Sequence, residues 1–180
     1  KQASSNVTSL REAIVDKGIP VLATSSTCTF TLRDEYPHLL DVDNTGLREH
    51  IELATRFLWR KLDSGQTLPL GKLPLKVVYH TPCHMEKMGW SIYTLDLLRL
   101  IPGLELTVLD SRCCGIAGTY GFKRENYPTS QAIGAPLFRQ IEESGADIVV
   151  TDCETCKWQI EMSTSKRCEH PITLLAKALA

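Results

Sequence analysis

The sequence predicts an α/β fold with two tandem units of parallel strands and flanking helices, the first of them truncated. Two observations support this prediction. Short apolar runs alternate with stretches of helical periodicity, a pattern typical of right-handed crossovers and a parallel sheet. In addition, Arg11–Cys28 resembles Arg139–Cys156, since each reads as a helix, a glycine, an apolar run ending in Thr and a cysteine-containing loop.

Three apolar runs rich in Val, Ile and Leu are predicted to be buried strands. They are Leu75–His80, Leu104–Asp110 and Ala146–Thr151. Each run is followed within a few residues by a cysteine, so each predicted strand leads into a cysteine-containing loop.

Two helices are predicted between these strands, at Met85–Leu100 and Pro128–Gly145, where apolar residues recur at helical spacing. Gly145 is expected to form the C-terminal cap of the second helix. Pro136 lies inside that helix and indicates either a kink or a later start.

The two similar segments predict equivalent positions in the two units. Cys28 takes the place of Cys156, and Ser25 stands where the second unit has Cys153. The alternative is that any two helix–strand–loop segments look this similar.

The predicted organisation has three parts: a C-terminal remnant of the first unit at 1–45, a helix and linker at 46–73, and the complete second unit at 74–180. The amphipathic helix is predicted at Gly46–Gly65, followed by a linker that contains Pro and Gly. This helix is expected to cover the sheet, and docking on a partner or a membrane is the alternative.

Composition excludes several classes of function. With 20 basic and 21 acidic residues the net charge is -1, and no basic run suggests a nucleic-acid surface. No apolar stretch approaches the roughly 20 residues that span a bilayer, and the N-terminus lacks the features of a secretory signal. We therefore expect no nucleic-acid partner and no membrane-spanning segment.

The seven cysteines indicate metal or redox chemistry, because an odd number without an export signal argues against a disulfide scaffold. Since the carboxyl ends of parallel strands meet at one edge of a sheet, the three cysteine-containing loops are expected to converge there. The five cysteines of these loops are Cys83, Cys113, Cys114, Cys153 and Cys156.

The donor set narrows the choice of metal. The C-x-x-C spacing of Cys153 and Cys156 suits zinc, an iron–sulfur cluster or a thioredoxin-type pair, but structural zinc needs four ligands rather than five. Five thiols favour an iron–sulfur cluster. Gly115 is expected to let the backbone approach it. His80 and His84 flank Cys83 and are expected to lie behind the ligands, with direct ligation of the metal as the alternative.

The motifs "HTPCH", "SRCCGIAGTYGF" and "DCETCKW" resemble the cysteine-rich CCG domain of heterodisulfide reductase, glycolate oxidase and lactate-utilisation subunits. The resemblance implies tandem CCG-type repeats and a [4Fe–4S] cluster of the non-cubane type on the five cysteines. The full motif occurs once. Ser25 departs from it in the first repeat, so a second site at Cys28 would hold another cluster, a zinc ion or nothing.

The longer stretches, such as "SSTCTFTLRDEYP", resemble iron–sulfur subunits of bacterial anaerobic dehydrogenases that oxidise glycerol-3-phosphate. That resemblance implies a non-catalytic electron-transfer subunit of anaerobic respiration. It would pass electrons from flavin-containing catalytic subunits towards membrane quinone, peripherally at the cytoplasmic face of the inner membrane. The alternatives are a thiol/disulfide reductase acting at the cluster and a zinc-stabilised interaction module. Cys168 lies outside the three loops and is expected to be a small buried residue.

Overall fold

The computed structural model describes residues 1–179, which form two parallel sheets flanked by helices. The strands within these residues are β1 Val21–Ala23, β2 Ile51–Leu53, β3 Lys76–Tyr79, β4 Glu105–Val108, β5 Ile148–Val150 and β6 Cys168–Glu169. The α-helices are α1 Gln2–Arg11, α2 Ser26–Phe30, α3 Tyr36–Leu40, α4 Ala54–Asp63, α5 Cys83–Met88, α6 Ser91–Arg99, α7 Tyr127–Glu143, α8 Glu154–Ser163 and α9 Pro171–Ala178. The α/β class with parallel strands and flanking helices is confirmed.

The main sheet has the strand order β4-β3-β5-β6, with every neighbouring pair parallel. The central strands are buried as predicted, since Val77 and Val149 are 1% and 0% exposed. The prediction that β4 is buried is wrong: it is an edge strand, and Val108 is 43% exposed. Strand β6 was not predicted, because two residues are too short to give a periodic signal.

The second sheet consists of β1 and β2, in which Val21 pairs with Ile51. The helix predicted at Gly46–Gly65 is therefore wrong in its first half, where a short 3-10 helix at Arg48–His50 leads into β2, and right in its second half, where α4 lies. All three residues of β2 are buried, and pairing with β1 overrides the local helical pattern. Glu52 of β2 is 5% exposed and bonds to Arg60 of α4, which ties the strand to the helix.

Helix α4 covers the main sheet, as expected from its amphipathic pattern. Leu58, Trp59 and Leu62 pack against the core that contains Val77. The Trp59 ring lies 5.0 Å from the Tyr93 ring of α6, centroid to centroid. No helix within residues 1–179 is both long and apolar enough to cross a membrane.

The two predicted helices of the second unit differ in continuity. The helix predicted at Met85–Leu100 is broken into α5 and α6 at Gly89, whose φ of 67° forms a left-handed cap. Helix α7 begins at Tyr127 and contains Pro136, so a later start is excluded. Gly145 lies just beyond its end with a φ of 66°.

Candidate metal centre

The predicted convergence of the three loops is visible as one cavity of about 520 Å³ at the carboxyl ends of β3, β4 and β5. Helix α5 begins shortly after β3, helix α8 begins shortly after β5, and an irregular loop follows β4. The cysteines that line the cavity are Cys83, Cys113, Cys114, Cys153 and Cys156. Five sulfur donors thus face a single space.

The five thiols divide into an inner and an outer group. Cys114, Cys153 and Cys156 are 3%, 3% and 4% exposed, whereas Cys83 and Cys113 are exposed. The sulfur atoms of Cys114 and Cys156 lie 3.2 Å apart. A group held in the cavity would therefore be anchored in the core and would reach the protein surface.

The segment Cys113–Gly115, here called the CCG loop, lies against α7. Two glycines permit this close approach. Gly115 has a φ of 86°, and a Cβ there would lie 2.0 Å from the Ser130 carbonyl oxygen. A Cβ at Gly134 would lie 2.6 Å from the Cys114 carbonyl oxygen. Gly115 also donates its N–H to Cys113 Sγ at 3.3 Å. Its lack of a side chain thus permits the irregular turn that places two adjacent cysteines at one cavity.

Hydrogen bonds among the thiols shift their pKa values in opposite directions. Hydrogen bonding from Cys156, opposed by burial, lowers the pKa of Cys153 to about 5. The pKa of Cys114 is also lowered, by hydrogen bonds from Cys113 and Cys156, while the same bonds raise the pKa of those two partners. Thiolates, the ligand form of cysteine, are therefore favoured at Cys153 and Cys114.

The opposite wall of the cavity comes from the N-terminal part of the chain, which includes Thr27, Thr31 and Glu35. The Thr27 hydroxyl lies 3.4 Å from Cys153 Sγ and 3.1 Å from His84 Nδ1. His84 itself lines the cavity. Thr27 was not predicted as a site residue, and its position beside Cys28 in "SSTC" gives no local sign of this long-range contact.

His80 also lies at the site, as expected for a histidine that flanks Cys83. It is 2% exposed, and one of its ring nitrogens lies within 4.8 Å of the sulfur atoms of Cys114 and Cys156. Its position directly after β3, in the "HTPCH" motif beside Cys83, is the signal that predicted it.

The two remaining cysteines lie elsewhere. Cys28 is exposed on α2 and does not line the five-cysteine cavity. Cys168 is buried as expected, and burial raises its pKa to about 12.

The donor set fits an iron–sulfur cluster. Thiolates are soft ligands that select iron–sulfur clusters, zinc and copper(I), while magnesium and calcium need oxygen ligands. Backbone and hydroxyl groups lie beside the sulfur atoms, as at Gly115 and Thr27, where they can donate hydrogen bonds to ligating thiolates.

Comparison with known families supports this class of site. Residues 77–161 match the family described as "CCG: Cysteine-rich domain", and this stretch contains all five cavity cysteines. This match confirms the resemblance to the CCG domain that the cysteine motifs predict.

The most similar proteins include a component of a dehydrogenase. The chain is 84% identical over 180 residues to the C subunit of the anaerobic glycerol-3-phosphate dehydrogenase of Escherichia coli K12, covering 100% of this chain and 46% of that protein. The same values hold for the corresponding protein of Escherichia coli O157:H7. The chain thus spans about half the length of these relatives.

A more distant relative is a protein of lactate utilization. Lactate utilization protein A of Geobacillus kaustophilus is 32% identical over 164 residues, covering 85% of this chain and 66% of that protein.

Proposed function

We propose that this chain is part of an iron–sulfur electron-transfer subunit. One [4Fe–4S] cluster of the non-cubane type would be held by Cys83, Cys113, Cys114, Cys153 and Cys156. The observation that carries this proposal is the lining of one cavity by five cysteines from three strand-end loops. Five thiols exceed the four ligands of a common cluster or of structural zinc.

Electron transfer requires that the cluster be close to its donor and acceptor, and it requires no acid or base from this chain. When bound, the cluster supplies the electron-accepting iron. The outer cysteines, Cys83 and Cys113, are exposed, which supports a position of the cluster close to the surface. The N–H of Gly115 and the hydroxyl of Thr27 would donate hydrogen bonds to sulfur and tune the potential.

The name of the 84% identical relatives supports a place in an anaerobic glycerol-3-phosphate dehydrogenase. In this proposal electrons come from flavin-containing catalytic subunits and continue towards membrane quinone. The complex would lie peripherally at the cytoplasmic face of the bacterial inner membrane.

We also propose that the chain contains two related units, at 1–45 and 74–180, separated by the helix and linker at 46–73. The support is local geometry: Ser25 and Cys153 each occupy the extended position between a strand and a helix, with ψ of 128° and 117°. Cys28, which lies outside the five-cysteine cavity, takes no part in the proposed cluster.

The cluster is tested by anaerobic reconstitution with iron(II) and sulfide. We expect about four irons with equivalent acid-labile sulfide per chain. Cys83→Ser and the equivalent changes at the other four cysteines should lower the iron content or alter the spectrum. Cys168→Ser is the matched control and should do neither. Zinc that stays bound, with no acid-labile sulfide, after reconstitution with excess iron(II) and sulfide would contradict the cluster.

A thiol/disulfide reductase is the second candidate, because the exposed Cys83 and Cys113 share the cavity with Cys153, whose pKa is lowered to about 5. The distinguishing experiment mixes photoreduced, cluster-loaded protein with small disulfides under argon and follows thiol release. An electron carrier should give no catalytic release. Turnover that disappears in Cys113→Ser would favour the enzyme.

A further inference from the structure

A buried nitrogen without a partner lies behind the five-cysteine cavity. His80 follows β3, and its backbone N–H donates to the Val150 carbonyl oxygen at 2.9 Å, which fixes the residue against β5. Its Nε2 atom is buried without a geometrically well-formed hydrogen bond among residues 1–179, although the imidazole lies close enough to Cys114 to help lower the pKa of that thiol. A buried polar atom without a partner is costly, so such an atom calls for an explanation such as an ion.

Two sulfur atoms share the surroundings of this imidazole. One ring nitrogen of His80, Cys114 Sγ and Cys156 Sγ all lie within 4.8 Å of one another, and all three residues are buried. Tetrahedral zinc bonds sulfur at about 2.3 Å and imidazole nitrogen at about 2.0 Å, which places neighbouring ligand atoms about 3.5–3.8 Å apart. The sulfur atoms are 3.2 Å apart, so small side-chain shifts would suffice.

The donor types select the ion. Imidazole together with thiolate suits zinc, whereas the hard cations magnesium and calcium require oxygen ligands. Among residues 1–179 no fourth His, Cys, Asp or Glu ligand atom lies within the same distance of all three, which leaves the fourth position to water.

We propose that His80, Cys114 and Cys156 form a preformed site for one zinc ion, occupied when no iron–sulfur cluster is present. Binding displaces the remaining thiol protons of the two cysteines into solvent, and no electron is transferred. The site does not depend on the proposed electron-transfer function, because it needs neither Cys83 nor Cys113. Zinc would give the cluster-free chain a way to satisfy its buried imidazole and to protect its inner thiols.

The test uses cobalt(II) as a spectroscopic probe, added to the reduced, metal-free chain under argon. We expect one equivalent to bind with thiolate-to-cobalt charge transfer and the visible bands of a tetrahedral ion, and zinc to displace it. His80→Gln should weaken binding at least tenfold and change the visible bands. His50→Gln is the matched control, because His50 is exposed and does not line the cavity, and it should bind like the parent chain.

The outer cysteines provide the second comparison. In the double variant Cys83→Ser/Cys113→Ser, one equivalent of cobalt should bind with the parent spectrum, although the five-cysteine cluster can no longer form. Binding that is lost there and unchanged in His80→Gln would overturn the zinc site without affecting the cluster proposal. If reconstitution with iron and sulfide failed while cobalt still bound as expected, the cluster proposal would be overturned and the zinc site would stand.

A measurement without substitutions covers the case in which His80→Gln does not fold. Cadmium-113 bound to chain carrying ¹⁵N-labelled histidine should show scalar coupling to one histidine nitrogen and a chemical shift typical of mixed nitrogen and sulfur ligation. A shift typical of sulfur ligands alone, without nitrogen coupling, would overturn the assignment of His80.

Discussion

The hydroxyl of Tyr79, at the end of β3, donates a hydrogen bond of 2.6 Å to Asp152 Oδ2 in the segment that follows β5. Both residues are 0% exposed. Thr94 of α6 donates to the other carboxylate oxygen at 3.1 Å, and the Asp152 carbonyl accepts from Ser26 N at 2.8 Å. Asp152 directly precedes Cys153, so this network joins the cysteine loop to α6 and to the N-terminal part of the chain.

The first prediction concerns this buried bond. Tyr79→Phe keeps the ring but leaves Asp152 without one of its donors, and we expect the free energy of unfolding to fall by about 1–3 kcal/mol. Urea denaturation of the metal-free chain measures it. The matched control is Tyr127→Phe, because Tyr127 is 39% exposed, and it should change stability by less than about 0.5 kcal/mol. Equal effects of the two changes would contradict a stabilising role of the Tyr79 hydroxyl.

The second prediction separates close approach from backbone strain in the CCG loop. Gly115 and Gly118 have φ of 86° and 64°, but a Cβ meets the Ser130 carbonyl at 2.0 Å only at Gly115 and meets nothing within 4 Å at Gly118. Gly118→Ala should therefore cost about 1–2 kcal/mol from the positive φ. Gly115→Ala should cost about 3 kcal/mol or more, since overpacking is added.

Thermal and urea unfolding of both variants provide the measurement. Iron uptake on reconstitution should also fall in Gly115→Ala, because α7 and the loop must separate. If Gly118→Ala were the more damaging change, the packing of the loop on α7 would not be what requires Gly115.

Sequence reasoning located the cysteine loops because that inference depends on few local facts. Runs such as Ala146–Thr151 have a continuous apolar centre, Ile148–Val150, and parallel strands bring their carboxyl ends together. Strand β2, Ile51–Leu53, was missed because it pairs with the distant Val21–Ala23. Its own residues continue the helical pattern of the segment that follows.

The site residues that the sequence did not reveal were missed for the same reason, because their contacts join distant parts of the chain. Thr27 reaches Cys153 from another part of the chain, and Gly134 matters because the Cys114 carbonyl passes close to it. Neither contact leaves a periodic or spaced pattern. His80 was expected at the site because it flanks Cys83, whereas its burial and the closeness of its ring to Cys114 and Cys156 are properties of the packed chain.

The third prediction uses the pKa of Cys168. Burial raises that pKa to about 12, so at pH 8 only about one thiol in ten thousand is the reactive thiolate. Iodoacetamide should therefore label the exposed Cys28 in the native, metal-free chain and leave Cys168 unmodified. Mass spectrometry of tryptic peptides after timed labelling measures both sites, and in urea both should react. Comparable native rates would contradict the burial of Cys168.

The last prediction tests whether the N-terminal wall tunes the proposed cluster. Thr27 Oγ1 lies between His84 Nδ1 and Cys153 Sγ, so it can accept from the imidazole and donate to the ligating thiolate. Such a donor stabilises the reduced, more negative cluster, and Thr27→Val should lower the reduction potential. A hydrogen bond worth about 1 kcal/mol corresponds to about 40 mV for one electron.

Anaerobic potentiometric titration of the reconstituted chain, followed by electron paramagnetic resonance, measures this shift. Thr31→Val is the matched control, because Thr31 lines the same cavity but donates its hydroxyl to Glu35 at 2.5 Å. Its potential should stay that of the parent chain. An unchanged or higher potential in Thr27→Val would show that the hydroxyl does not donate to a cluster ligand, and would remove the N-terminal wall from the tuning of the site.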